Sequence, residues 1–310
     1  MKTSAPRSSR SSPAGGRLEA AGFALYLAIA VLPIAGSLVY GFLYTVGLAG
    51  LLARGFTLES WAKVLASGEL WTSWGLSLYV AGAVAALSTA AGLALALAFR
   101  RALDRGPLAY AIYLPLALPG TVAGFLAFEL LSPAGLFSRL AFKIGLTSGL
   151  TDGIAGFPAL TNDRWALGIV ATHAALATPF FALLFAELYR SERIADFAAL
   201  SRSLGASGRQ TLARVIVPIL LSRAATNVLL LFVVVLGSYE IPLLLGRQSP
   251  QMLSVLTFRK YQRFDLLDKP QAFVHSILYT LVALAIVALA LGRRGRGRPA
   301  GTGDGGVEAR

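Results

Sequence analysis

Long apolar runs separated by short polar segments dominate this chain. Six of them, at residues 21–50, 74–99, 107–131, 165–188, 224–246 and 271–292, reach the roughly 20 residues that a helix needs to cross a hydrocarbon core. Lipid offers the backbone no hydrogen-bond partner, so a spanning segment must be a helix or part of a closed barrel. Barrel strands alternate apolar and polar positions over about 10 residues, and these runs do not alternate. The pattern predicts an all-α, polytopic membrane protein with six transmembrane helices. The first run is longer than required, which allows tilt. Pro115, Pro119 and Gly120 should bend the third helix, because each proline removes a backbone bond. The second carries Ala81, Gly82, Ala85, Ser88, Ala91 and Gly92, small residues that let membrane helices approach closely.

The polar segments carry their own signals. Between helices one and two, Thr57 or Ser60 can cap a short interfacial helix, with Trp61, Trp71 and Trp74 as an aromatic belt. The segment 132–164 is rich in Gly, Thr and Pro, with a short helix expected near residues 136–146. It is either a surface for a partner outside the membrane or a loose connector. The segment 189–223 has room for two short helices. In the first, Ile194, Phe197, Leu200 and Leu204 form an apolar stripe at helical period. Gly205 then sits where helices commonly end in left-handed geometry. Ser207 and Gln210 make a capping-box pattern that opens the second helix. Leu212, Val215 and Ile216 give it a stripe, and Pro218 should bend or interrupt it.

Composition agrees with this layout. Hydrophobic residues make up 56% and charged residues 14%, against about 25% charged in soluble domains. The formal net charge is +13, and its placement sets orientation. With both termini inside, the inner segments hold 18 Lys and Arg and the outer ones 10. That is the positive-inside bias, favouring N-in and C-in. The charge is thus read as topology, not as a nucleic-acid surface. Residues 1–20 and 293–310, rich in Gly and Arg, are expected to be disordered cytoplasmic tails around a membrane domain at 21–292. The uncharged run 20–53 far exceeds the 7–15-residue core of a secretory signal, so the first helix is expected to stay. Cysteine is absent, which excludes disulfides, thiolate chemistry and Cys-based metal sites.

The hairpin carries a resemblance. Arg202-x-Leu204-Gly205-Ala206, followed by Val215-x-Val217-Pro218, resembles the cytoplasmic EAA loop of ABC importer permeases. That loop reads Glu-Ala-Ala, three residues, Gly, nine residues, an aliphatic, one residue, Leu and often Pro. The Gly205-to-Pro218 spacing fits, and the loop lies between the expected helices. The triplet position reads Ala199-Leu200-Ser201, or Phe197-Ala198-Ala199 by a slip of two, with no glutamate at its start. Asp196, three residues before Ala199, lies on nearly the same helical face and is the candidate for the missing charge. The resemblance implies a type I importer permease fold, N-in and C-in, in a bacterial inner membrane. It implies that residues 191–218 dock into an ATP-binding subunit through Asp196, Ala199, Arg202, Leu204, Gly205, Ala206 and Pro218. A second stretch, Gly237-Ser-Tyr-Glu-Ile-Pro-Leu-Leu-Leu-Gly246 with Leu253-Ser-Val-Leu, looks like permeases of the polyamine, thiamine, iron and sulfate importer group.

Ionisable residues inside a membrane are costly and default to functional candidates. Glu240, in helix five beside Tyr239 and Pro242, is either a pathway group or an interfacial carboxylate paired with Arg247. Glu129 lies nearer a helix end. His173, before Pro179, is expected as a structural hydrogen-bonding group, and Asn227 as a bridge between helices. His275 has no second metal ligand at helical spacing, so no metal site is expected. No Gly-x-x-x-x-Gly-Lys-Ser/Thr phosphate loop, His-Glu-x-x-His or nucleophile elbow occurs. The resemblance therefore implies a transport subunit rather than an enzyme. ATP and Mg would be held by a pair of partner ATPase subunits. A second permease subunit, identical or sibling, and an extracytoplasmic solute-binding protein complete the expected assembly, in contact with membrane lipid and without nucleic acid. The expected cargo is polyamine or thiamine-like. The alternative is an ion-coupled secondary transporter or channel, against which the few unpaired intramembrane carboxylates count.

Overall fold

A computed structural model describes residues 13–50, 53, 55–104, 110–146, 156–158 and 160–295. Helix α1 (Pro13–Thr45) leads through a turn to α2 (Glu59–Leu65) and the long α3 (Gly68–Asp104). A 3-10 turn over Pro115–Ala117 precedes α4 (Gly120–Leu131) and α5 (Leu136–Lys143). Then come α6 (Leu167–Ser191), α7 (Ile194–Ser203) and α8 (Gly208–Thr211). A wide π turn over Leu212–Ile216 runs into α9 (Val217–Leu236), followed by α10 (Glu240–Leu245), α11 (Leu253–Gln262) and α12 (Asp268–Gly295). Six stretches are long and apolar enough to span a membrane: Ala21–Thr45, Gly68–Phe99, Gly120–Lys143, Leu167–Ser191, Gly208–Leu236 and Asp268–Ala290. Every described element is helical, and the chain is a multi-pass membrane protein. The first helix begins at Pro13, inside the stretch expected as a tail, and residues 1–12 lie outside the described ones.

Three departures from the expected spans have physical causes. The third span starts at Gly120, and the start expected at residue 107 lies outside the described residues. Pro115 and Pro119 remove two N–H donors within five residues, so the chain turns there and α4 starts at Gly120, with Pro119 extended as its cap. The fifth span starts earlier than residue 224 and ends earlier than 246. Pro218 sits in the first turn of α9, where a missing N–H costs least, so it opens the helix instead of breaking it. At the other end Gly237, Ser238 and Tyr239 leave the helix, and Glu240 begins a separate short one instead of lying within helix five. Trp74, expected in the interfacial belt, is buried in the core. Trp61 donates its indole N–H to Thr45 Oγ1 at 3.0 Å, and Trp71 to the Leu65 carbonyl at 2.9 Å. Thr57 Oγ1 accepts the Glu59 amide at the start of α2.

The bundle is organised around α3 against α6. One cluster joins Val80, Ala81 and Val84 of α3 to Ile169, Leu236, Ile241, Leu245 and Val274. The other joins Leu93 and Ala96 to Phe181, Ala182, Phe185, Ile194, Leu220 and Ala224, and so carries the hairpin's root. Close approach rests on Gly92, where an added Cβ would fall 2.9 Å from the Phe181 carbonyl carbon and 3.0 Å from the Ala182 nitrogen. Helix α1 stands apart. It touches α12 near Phe273, where Tyr44 and Phe273 rings lie 5.0 Å apart, and its apolar window is otherwise unburied.

Gly92→Val should therefore destabilise the bundle by about 1–3 kcal/mol through overpacking, seen as a lower thermal unfolding midpoint in detergent. Gly82→Ala, where nothing lies within 4 Å of the added carbon, should hold or slightly raise the midpoint, because Ala is the better residue inside a helix. Equal midpoints for both variants would refute this packing.

Candidate functional site

Two features stand out from the apolar bundle: the polar hairpin α7–α8 and the break after α9. In the hairpin, α7 ends in a complete Schellman arrangement. The Ala206 amide donates to the Ser201 carbonyl at 3.1 Å and the Gly205 amide to the Arg202 carbonyl at 3.0 Å. Gly205 has φ +87°, a left-handed geometry that costs other L-residues roughly 1–2 kcal/mol. Ser207 Oγ accepts the Gln210 amide at 3.3 Å while Gln210 Oε1 accepts the Ser207 amide at 2.8 Å, a reciprocal capping box. Ser201 and Thr211 share a hydroxyl hydrogen bond of 2.8 Å that ties α7 to α8.

The stripe expected on α7 is divided between two directions. Ile194 and Ala198 are buried against the bundle, whereas Phe197, Leu200 and Leu204 are exposed, Leu204 at 80%. Ala199 is exposed beside them and Ala206 is half-buried. Asp196 pairs with Arg193 at 2.8 Å, and Arg202 Nε donates to the Ala198 carbonyl at 3.1 Å. Arg223 pairs with Glu192 at 3.0 Å, holding the turn before α7 against α9. Exposed pairs of this kind contribute about 0–1 kcal/mol each. The hairpin's shape thus rests on its caps and on Ile194, while its outward face stays apolar.

The break after α9 is held from several sides. Gly237 lies flush against Tyr279, whose ring carbon Cζ would be 2.7 Å from an added Cβ. Tyr279 donates its hydroxyl to the Val233 carbonyl at 3.1 Å. His173 Nε2 and Ser238 Oγ are hydrogen-bonded at 3.1 Å, and Ser254 donates to the Ser238 carbonyl. Tyr239 packs on Phe258 with ring centroids 4.8 Å apart. Non-helical backbone at membrane depth is tolerated only where protein covers it or a cavity adjoins it. Here one does: about 540 Å³ between the break, α11 and α12, lined by Tyr239, Phe258, Tyr261, Phe273 and Tyr279 and by the hydroxyls of Ser254, Thr257, Ser276 and Thr280.

Glu240 is exposed, and its carboxylate lies against Gly120, the first residue of α4. A helix N-terminus carries unpaired N–H groups and favours a negative charge there. The pairing with Arg247, which one of the two readings of Glu240 allowed, is absent among the described residues. Of the pathway candidates, Tyr239, Glu240 and His173 meet at the break. Asn227 is half-buried on α9 with no side-chain hydrogen bond among the described residues, and Glu129 is exposed about 13 Å along α4 from Gly120. These two do not join the site.

No family model matches the chain. A probable ABC transporter permease protein, y4fN, of Sinorhizobium fredii (strain NBRC 101917 / NGR234) is 29% identical over 201 residues, 62% of this chain and 32% of the relative. The matched stretch thus spans about a third of the length of that curated relative. A bacterial ABC transporter involved in the import of the acidic polysaccharide alginate superimposes with a TM-score of 0.64 at 17% identity, covering 90% of this chain and 94% of that one. A bacterial alginate ABC transporter in complex with an alginate pentasaccharide-bound periplasmic protein gives 0.65 at 17%, covering 92% and 96%. The fold is that of an ABC importer permease. In this permease fold the hairpin lies between the fourth and fifth spans, and the break lies at the far end of the fifth.

Sequence reasoning missed three supports of the site. Thr211, which is 3% exposed, braces the hairpin, though its capping-box neighbours gave a hint. Gly120 and Gly124, a Gly-x-x-x-Gly pair, let α10 approach α4 with the Ile241 Cα 3.6 Å from an added Cβ on Gly124. Tyr279 holds the break from a distant helix, which no local pattern reports.

Gly205→Ala, with open space around the added carbon, should cost about 1 kcal/mol through backbone strain alone. Gly205→Asn should cost less. Hydrogen exchange over residues 200–211 should rise in the order wild type, Asn, Ala, and no difference between the two variants would contradict the cap.

Proposed function

We propose that this chain is the permease subunit of an ATP-driven solute importer in a bacterial inner membrane. The carrying observation is the hairpin: a capped, exposed, apolar-faced element on a chain with the importer permease fold. In this reading residues 194–218 form the coupling element, placed on the cytoplasmic side by the basic bias of the inner segments. Phe197, Leu200 and Leu204 supply the apolar contact that enters a groove on the ATP-binding subunit. Gly205 and Ala206 set the angle between its two helices, and Arg202 and Pro218 close its ends. Ala199 stands where the resemblance has a glutamate. Asp196, one turn earlier and paired with Arg193 at an exposed site, provides the carboxylate at the docking surface.

ATP and Mg are held by a pair of partner ATPase subunits, whose closure moves the hairpins. Two permease subunits, identical or sibling, enclose the route. An extracytoplasmic binding protein delivers the solute, a role supported by the complex of the alginate transporter with its periplasmic protein. The route passes the break, where Tyr239 and Glu240 face the solute and His173 positions Ser238. Because ATP drives transport only if solute affinity differs between states, a break held by several separable contacts suits a moving wall. The cargo is a small polar solute from the group spanning polyamine, thiamine, iron and sulfate. An ion-coupled mechanism is disfavoured, since Glu129 and Glu240 neither pair nor lie together.

Affinity purification in mild detergent should recover ATPase subunits with the wild-type chain. They should be lost with Leu204→Asp or on deleting residues 194–217. A purified chain that transports alone, without ATP, would sink the proposal. Glu240→Gln should lower solute uptake in vesicles while ATPase recovery stays at the wild-type level, and unchanged uptake would remove Glu240 from the route.

A further inference from the structure

We infer that the cavity between α10, the 246–252 turn and α11 is an oxyanion site at the entry of the route, taking the carboxylate or sulfate-type group of an anionic solute. The inference rests on the importer reading for the side from which solute arrives. The cavity lies at the end of the fifth span opposite the hairpin. It holds about 140 Å³ and is lined by Arg247, Arg259, Gln248, Gln251, Gln262 and Tyr239 among others. Pockets for whole drug-sized ligands run to about 300–1,000 Å³, so this one suits a single charged group.

The charge around it is unbalanced. Arg247 makes no ion pair among the described residues. Arg259 is held by Glu69 of α3 through Nη2 and reaches the Gln248 carbonyl at 3.5 Å through Nη1. Its Nε is buried without a partner. Lys260, beside it, donates to Gln271 at 3.1 Å and lies 4.0 Å from Glu69. Asp163, which lines a neighbouring small cavity with Arg247, is occupied by the Trp165 and Leu167 amides at 3.0 and 2.8 Å. Arg259 and Lys260 therefore share the one carboxylate of Glu69, and Arg247 is left without a carboxylate partner among the described residues.

A second observation points to a ligand. Gln251 is 8% exposed, and its Oε1 is buried with no partner. Its Nε2 donates to Gln248 Oε1 at 3.3 Å. Amide orientation follows the hydrogen-bond network, and the two amides can turn over together without losing their mutual bond. Gln251 then offers an N–H donor to the cavity. A buried donor left unpaired costs about 1–3 kcal/mol, and an oxyanion satisfies this donor, the free Arg259 Nε and Arg247 at once. Guanidinium groups favour such planar oxyanions through paired, charge-assisted bonds. Tyr239 and Phe258 line both this cavity and the larger aromatic one. The anionic group is thus seated here while the uncharged body of the solute enters the hydroxyl-lined chamber beside the break.

The test is equilibrium binding of radiolabelled sulfate, and separately of galacturonate, to the full chain in phosphatidylcholine nanodiscs, with spermidine as cationic comparator. The two anions should bind and displace one another, and spermidine should not compete. Arg247→Gln should weaken anion binding by about tenfold or more, and Arg247→Lys should restore part of it. Arg247 is chosen because Arg259 also anchors α11 to α3, and an unchanged thermal midpoint shows that the variant folds. Absence of anion binding, wild-type affinity in Arg247→Gln, or spermidine binding in place of the anions overturns the proposal. Loss of sulfate binding in phosphatidylglycerol nanodiscs overturns it too, by assigning the site to a lipid headgroup. Recovery of ATPase subunits is measured independently, so failure of the anion site leaves the importer reading standing, and the reverse also holds.

Discussion

A backbone amide or carbonyl in hydrocarbon has no solvent to turn to, and an unsatisfied one costs several kcal/mol. The architecture of this chain depends on that constraint. Residues 237–239 are where the fifth span gives up its helical bonds, and contacts converge there from three other elements. His173 of α6, Ser254 of α11 and Tyr279 of α12 each supply a hydrogen bond to the break or to the helix end before it. The core between α3 and α6 holds these elements in place. A cavity lies beside the break, lined in part by Ser254 and Tyr279, the same side chains that bond its backbone.

The hairpin at the opposite end of α9 obeys a different rule. Outside lipid its backbone is free to bond to water, so its shape is fixed by caps instead of by packing. The Schellman turn at Gly205, the capping box at Ser207 and the Ser201–Thr211 bond make a rigid corner from local groups. Only Ile194 and Ala198 anchor α7 to the bundle. The π turn over Leu212–Ile216 and α9 connect the two features along the chain. The capped corner and the break thus lie at the two ends of α9, with the π turn between the corner and the helix.

Much of this was legible in the sequence, and the reasons are local. The six spans follow from hydrophobic length, the hairpin caps from residue types three or four positions apart, and the turn at Pro115 and Pro119 from missing donors. The end of the fifth span was not legible. The apolar run continues through residue 246, and hydropathy cannot distinguish a helix from a break that neighbours satisfy. The stripe on α7 was seen as one face, yet the bundle claims only Ile194 and leaves Phe197, Leu200 and Leu204 outward. Trp74 reads as interfacial by type, and its burial is decided by where α3 meets the rest.

The sequence by itself determined a six-span, all-helical membrane chain with a polar capped hairpin, because those properties depend on composition and on contacts within a few residues. Only the tertiary structure decided where the fifth helix breaks, that Tyr239, Glu240 and His173 meet there while Asn227 and Glu129 do not, and that Arg247 and Arg259 share a cavity. Those facts depend on groups far apart in sequence brought within hydrogen-bonding range. The partner of a buried polar atom lies on another helix, and nothing local to either residue names it.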